Sequence, residues 1–253
     1  DKTSVLADNA EEVVATVVKK ASGFTDTVVV KLGDYSQTIT SGTPFTIPKD
    51  WNNAISGTSA VATVTVTTKS DGTTIGSKSV NLTVNVPTSI VPTISSIATS
   101  EAVSAVTSAF GNRFVKTLSQ INVVVNATGA YGSTIKSYQT TLDGVTYVAS
   151  SFTSNALNTA GTLKITTKVT DSRGRTKTLT KNVTVVDYTP PTITSMSYIT
   201  CNADGTENSS GTCTKVIIAG EVSSVDTQNT KAQSLKYKAQ TATSYTVRAL
   251  TIS

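Results

Sequence analysis

Pro92-Thr93-Ile94-Ser95-Ser96-Ile97 is answered 99 residues further on by Pro191-Thr192-Ile193-Thr194-Ser195-Met196. Each copy follows a Val-rich alternating run, at 80–86 before the first and 183–186 before the second. A proline that closes one set of strands and opens the next at a spacing of about 100 residues marks tandem β-sandwich modules. The phrase therefore predicts an all-β chain of immunoglobulin-like or fibronectin-III-like sandwiches, spanning 1–88, 89–188 and 189–253. The 62 residues after Pro191 are too few for a sandwich of about 100, so the third module is expected to be incomplete. It ends in mid-strand register, which predicts that the natural chain continues or that another chain completes the module.

Working outward, the strands announce themselves by alternation. Ala62, Val64 and Val66 alternate with Thr63, Thr65 and Thr67, and Leu163, Ile165, Thr167 and Val169 alternate with Lys164, Thr166 and Lys168. Period two with an apolar and a polar face is a half-buried strand. Asp71-Gly72 and Asp143-Gly144 are hairpin dipeptides, and Gly129-Ala130-Tyr131-Gly132 is a glycine-bracketed turn. Residues 10–20 fit a short helix capped by Asp8 or Asn9, or a strand; β-branched density favours the strand. Beyond Thr192, strands are predicted at 216–219, 234–239 and 244–250.

Composition narrows the chemistry. The 253 residues contain no histidine, one tryptophan (Trp51), one methionine (Met196) and 15% charged residues. Without histidine the chain lacks the side chain that titrates near neutrality and the commonest metal ligand. A Ser-His-Asp relay, a Cys-His pair and any His-containing zinc site are excluded, so the reading is non-enzymatic, with no catalytic residue, no metal site and no cofactor. Glycoside hydrolysis needs two acids held together in a cleft. The pair Glu11-Glu12, Glu101, Glu207 and Glu221 fall in different loops or edges, and Asp71, Asp143, Asp171 and Asp204 sit in turns with local backbone roles. No apolar run approaches the roughly 18 residues of a membrane-spanning helix, and no signal peptide opens the sequence.

Three features are candidate sites. Cys201 and Cys213 flank a polar, glycine-containing loop and are either a disulfide or two free thiols. Lys164, Lys168, Arg173, Arg175, Lys177 and Lys181 concentrate positive charge on one hairpin, within a formal net charge of +5. At its tip, Asp171 is expected to bond backbone amides across the turn and Gly174 to supply a left-handed residue, leaving the arginines in solvent. The hairpin would face an acidic neighbouring subunit or an anionic wall polymer. It lacks the interleaved aromatics of a nucleic-acid platform. Trp51 is either an exposed contact aromatic or an anchor over one end of a sandwich core.

Four stretches give the chain a likeness. They are Phe24-Thr25-Asp26-Thr27-Val28 with Leu32-Gly33; Thr74-Ile75-Gly76-Ser77-Lys78 through Leu82-Thr83-Val84-Asn85-Val86-Pro87 to Val91-Pro92-Thr93-Ile94; Gly129-Ala130-Tyr131-Gly132-Ser133-Thr134-Ile135-Lys136-Ser137-Tyr138 with Leu142-Asp143-Gly144 and Val169-Thr170-Asp171-Ser172-Arg173-Gly174-Arg175-Thr176; and Cys201-Asn202-Ala203-Asp204-Gly205-Thr206 with Leu235-Lys236-Tyr237-Lys238. In order and spacing the chain resembles the Ig-like repeat region of minor structural, tail-tip proteins from siphophages of Gram-positive hosts. The resemblance implies an extracellular virion (tail) component that spaces or attaches. Its implied partners are other tail proteins, copies of itself and host cell-wall polysaccharide, with no nucleic acid and no membrane insertion. The alternatives are a bacterial surface adhesin or pilus-like stalk, and the carrier arm of a cell-wall hydrolase.

Overall fold

The computed structural model describes residues 2–20, 22–226, 234–237 and 242–249. Backbone contacts divide the chain into two compact units. One is Asp1–Thr99, Val123–Phe152 and Lys164–Asn182; the other is Ser100–Asn122, Thr153–Leu163 and Val183–Ser253. The chain is all-β and immunoglobulin-like, as the alternation predicts.

The first seven strands are β1 (Ser4–Leu6), β2 (Glu12–Val14), β3 (Phe24–Leu32), β4 (Tyr35–Ile39), β5 (Pro44–Thr46), β6 (Ser59–Ser70) and β7 (Thr73–Asn85). Five of them form a sheet in the order β1-β7-β6-β3-β4, and β2 pairs with β5. Residues 10–20 thus hold a strand, but a three-residue one. The long β6–β7 hairpin closes at Asp71-Gly72, both at positive φ (47° and 81°). That geometry matches the right-handed twist of the strands it joins. Val28, Val30 and Leu32 of β3, Ala62 and Val64 of β6, and Leu82 and Val84 of β7 are all buried. They join Val13, Phe45, Ile47, Trp51 and Ile55 in a single core.

The next elements are β8 (Thr93–Glu101), the helix α1 (Ser104–Phe110), β9 (Phe114–Val115), β10 (Ile121–Thr128), β11 (Ile135–Leu142), β12 (Val145–Tyr147), β13 (Ser151–Thr153), β14 (Gly161–Asp171) and β15 (Thr176–Val186). They give a three-stranded sheet, β13-β10-β8, and a five-stranded one, β12-β11-β14-β15-β9. One device occurs twice. A short strand lies parallel to a long final strand, β1 on β7 and β9 on β15, whereas the β3–β6, β6–β7 and β11–β14 pairings beside them are antiparallel. Helix α1 was not legible in the sequence. It packs Val106 into a small cluster with Val115 and Val225.

The last described strands are β16 (Thr192–Cys201), β17 (Cys213–Glu221), β18 (Ser234–Tyr237) and β19 (Thr246–Ala249). They pair as two separate two-stranded ribbons. Lys238, Ala239 and Leu250 of the predicted strands lie outside the described residues.

Candidate functional site

The turn Asp171-Ser172-Arg173-Gly174-Arg175 is built as its spacing predicts. Asp171 Oδ1 accepts from the amides of Arg173 (3.0 Å) and Arg175 (2.8 Å), and Gly174 sits at φ 78°. The arginines do not project into solvent, and that expectation is corrected. Arg173 is only 7% exposed.

Its guanidinium is a hub. Nε and Nη2 donate to the Ile55 carbonyl (3.2 and 2.7 Å), Nη2 also to Asn52 O (2.9 Å) and Tyr131 O, and Nη1 to Ala130 O (2.8 Å). The reason is complementary geometry. A 3-10 turn over Lys49–Ala54 and the tight turn at 129–132 both present carbonyls that no strand ladder consumes. A planar fork of five donors is the side chain that can satisfy several at once. Burial pulls the Arg173 pKa below its ordinary value; Asp171 opposes this and Arg175 adds to it. The group remains a cation at any ordinary pH.

The neighbours are shaped for the contact. A Cβ on Gly132 would lie 3.1 Å from the Asn53 carbonyl oxygen, and the residue is at φ 75°. Only glycine lets this turn approach so closely. Lys49 Nζ stands 5.6 Å from the centre of the Tyr131 ring, within cation–π range. Ala130 and Tyr131 pack against the core that contains Trp51. Arg175 adds a second fastening, to Pro87 O (3.1 Å) and Val86 O (3.0 Å). Residues 171–175 thereby hold three stretches that are far apart in sequence: 52–55, 86–87 and 130–131.

Lys181 donates to Ile97 O (2.9 Å) and Thr99 Oγ1 (2.8 Å). Lys164, Lys168 and Lys177 are exposed. Lys164 and Lys168 alternate with the buried residues of β14, whereas Lys177 and Lys181 share parity with buried Val183 and Val185 of β15. The six cations therefore do not make one patch. Trp51, 4% exposed, lies beside Tyr35 with ring centres 6.0 Å apart. It is the core anchor, and the contact reading is set aside. Cys201 and Cys213 stand directly opposite each other across β16 and β17 as free thiols, Cys201 buried and Cys213 exposed.

The acids serve their own backbones. Glu11 accepts from Leu6 N (2.7 Å), Glu101 from Val103 N (2.8 Å), and Asp204 from Thr206 N (2.9 Å). Among the described residues no three His, Cys, Asp or Glu side chains gather as a metal site. No helix there is long and apolar enough to cross a membrane.

Residues 6–249 match the family model "Siphovirus protein of unknown function (DUF859)". The chain belongs to this siphovirus family. No curated protein matches it. Among solved structures it is similar to the fibronectin(III)-like modules of Clostridium thermocellum CbhA, at 12% identity and TM-score 0.29 over 73% of this chain and 89% of that one. It is also similar to a protocadherin gammaB7 EC3-6 cis-dimer, at 15% identity and TM-score 0.33 over 84% and 52%. A third is the Bacteroides ovatus SGBP-B in complex with a mixed-linkage heptasaccharide, at 10% and 0.22 over 83% and 71%.

Proposed function

We propose that this siphovirus protein is a non-enzymatic structural and adhesion module of the tail tip. It is a stiff extracellular spacer of tandem Ig-like modules, bounded at 1–88, 89–188 and 189–253, that joins other tail proteins and touches host cell-surface glycan. The Arg173 hub is the observation that carries the stiffness. A flexible string of beads has solvated links, whereas here Arg173 and Arg175 fasten residues 52–55 and 86–87 to a turn more than 80 residues downstream. Hydrogen bonds to a charged donor contribute about 1.5–3 kcal/mol each way they are counted. Losing the donor takes the guanidinium partner from the Ile55 and Tyr131 carbonyls, while Asn52 O keeps the Ile55 amide and Ala130 O the Ser133 amide.

The test is a distance measurement. Spin labels at Asp71 and Asp143, in a Cys201→Ser, Cys213→Ser background, should give one narrow distribution. Arg173→Ala should broaden it and destabilise the chain by about 3 kcal/mol, and Arg173→Lys by about half that, because an ammonium cannot span the fork. A broad distribution in the parent chain would overturn the spacer. The adhesion half is tested by binding of labelled chain to Gram-positive wall fractions across a salt titration. Saturable binding that survives moderate salt is expected, and complete loss at moderate salt would reduce it to diffuse charge attraction.

A further inference from the structure

The core-facing side of the large sheet runs out of core at one end. Asp26, Thr68 and Gly76 stand in one row across β3, β6 and β7, and the next row is Val28, Val66 and Lys78. Val28 of the second row is buried in the hydrophobic core, whereas the first row, with Val66 and Lys78, lines a cleft of about 390 Å³, within the size range of small-ligand sites. The segment before β3 roofs it with Val17, and is pinned by Val17 N donating to Ser41 Oγ (2.8 Å) and Gly42 N to Ala15 O (2.9 Å).

The floor of this cleft holds an uncompleted carboxylate. The Asp26 side chain is 5% exposed. Its Oδ1 accepts from Thr68 Oγ1 at 2.6 Å, and its buried Oδ2 has no hydrogen-bond partner. Lys19 Nζ lies 3.8 Å from Oδ2, near enough to balance charge and too far to donate. A buried carboxylate oxygen lacking a donor is costly, and a strand position facing a core does not call for a carboxylate. The space beside it is also built in. A Cβ on Gly76 would meet nothing within 4 Å. Ile75 is skipped by the register between Thr68↔Gly76 and Lys69↔Thr74, and this bulge turns its side chain to the cleft wall.

We propose that this cleft binds an anionic saccharide unit, through a hydroxyl donated to Asp26 Oδ2 and a phosphate or carboxylate group held by lysine. Val17, Phe24, Val66 and Ile75 line the cleft and offer apolar surface to the C–H face of a sugar ring. Lys19, Lys20 and Lys78 line it too; three ammonium groups against one carboxylate leave an excess of positive charge that selects an anion. A neutral sugar would satisfy Asp26 alone, and inorganic phosphate would satisfy the lysines alone. The proposal deepens the adhesion half of the function above and is independent of the spacer half.

Amide-resolved NMR titration of the full chain with hexose 1-phosphate, hexuronate, neutral hexose and inorganic phosphate decides it. At least one of the two anionic sugars should shift the amides of Asp26, Thr68 and Gly76 saturably, about tenfold tighter than neutral hexose or inorganic phosphate. The preferred arm distinguishes a phosphate-bearing source from a carboxylate-bearing one. Asp26→Asn should weaken binding about tenfold. Gly76→Leu, whose side chain enters open space, should abolish it while the Asp71–Asp143 label distance stays unchanged. That distance separates loss of the site from loss of the spacer. No saturable shift with either anionic sugar, inorganic phosphate binding as tightly as sugar phosphate, or undiminished binding by Gly76→Leu would each overturn the proposal.

Discussion

The two copies of the repeated phrase share a sequence and differ in fate. In β8, Ile94 and Ile97 are 8% and 5% exposed; in β16 the corresponding Ile193 and Met196 are 71% and 64% exposed. The local code is the same, a proline followed by β-branched and apolar residues, and both copies form strands. A bulge between Ile193 and Ser195 in β16 shifts the alternation, so that Ile193 and Met196, three apart, share a face. The difference lies in the neighbours. β8 belongs to a sheet with β10, whose Ile121, Val123 and Val125 are buried, whereas β16 pairs within a two-stranded ribbon with β17. A phrase of this kind specifies a strand; the partners decide whether its apolar side is a core.

Truncating the apolar side chain in each copy gives the largest expected effect. Ile97→Ala should destabilise the chain by about 3 kcal/mol, the usual cost of a large buried truncation. Met196→Ala should change stability by less than about 0.5 kcal/mol. Chemical denaturation of the two variants checks this. Equal losses would mean that β16 buries its face as β8 does.

A smaller effect separates two glycines at positive φ. Gly132 is at 75° with the Asn53 carbonyl 3.1 Å from its would-be Cβ, and Gly205 is at 84° with open space around it. Alanine at either position carries about 1 kcal/mol of backbone strain. Gly132→Ala should cost about 1 kcal/mol more, because the turn must retreat from the Arg173 hub. A melting-temperature difference of roughly 2–4 °C between the two variants is expected. Coincident melting curves would show that the close approach contributes nothing.

Legibility in the sequence followed the range of the interaction. The hairpins at Asp71-Gly72 and Asp143-Gly144, the alternation of β6 and β14, and the Asp171 side chain capping its own turn are all local, and all were readable. Helix α1 was not, since seven residues are too few for a helical period to stand out. The burial of Arg173 was invisible for a different reason. Its acceptors lie 118 and 121 residues upstream at Ile55 and Asn52, and an arginine in a glycine turn looks the same whether it meets water or carbonyls. The Asp26 cleft was hidden likewise. Only the register of three strands places Asp26, Thr68 and Gly76 in a row, and alternation by itself would assign position 26 to the core.

Acid sharpens the contrast between long-range and local contacts. The Leu6 amide, and then the Lys2 ammonium, hold the Glu11 carboxyl below its ordinary value. Asp204 is held low by the Thr206 hydroxyl and then the Thr206 amide. In both cases the folded pKa is depressed, so any stabilisation is complete above the ordinary carboxylate value and is lost as pH falls through the folded one. The partners of Glu11 are five and nine residues away and meet it only in the folded chain. Asp204 and Thr206 are two apart, close enough to bond in the unfolded chain as well, which cancels their contribution. Between about pH 5 and pH 3, Glu11→Gln should therefore flatten part of the fall in melting temperature, because the glutamine oxygen still accepts from Leu6 at every pH. Asp204→Asn should leave the fall unchanged. Parallel curves for Glu11→Gln and the parent would show that the Glu11 contact survives unfolding, and a flattened curve for Asp204→Asn would show that its loop bonds form only on folding.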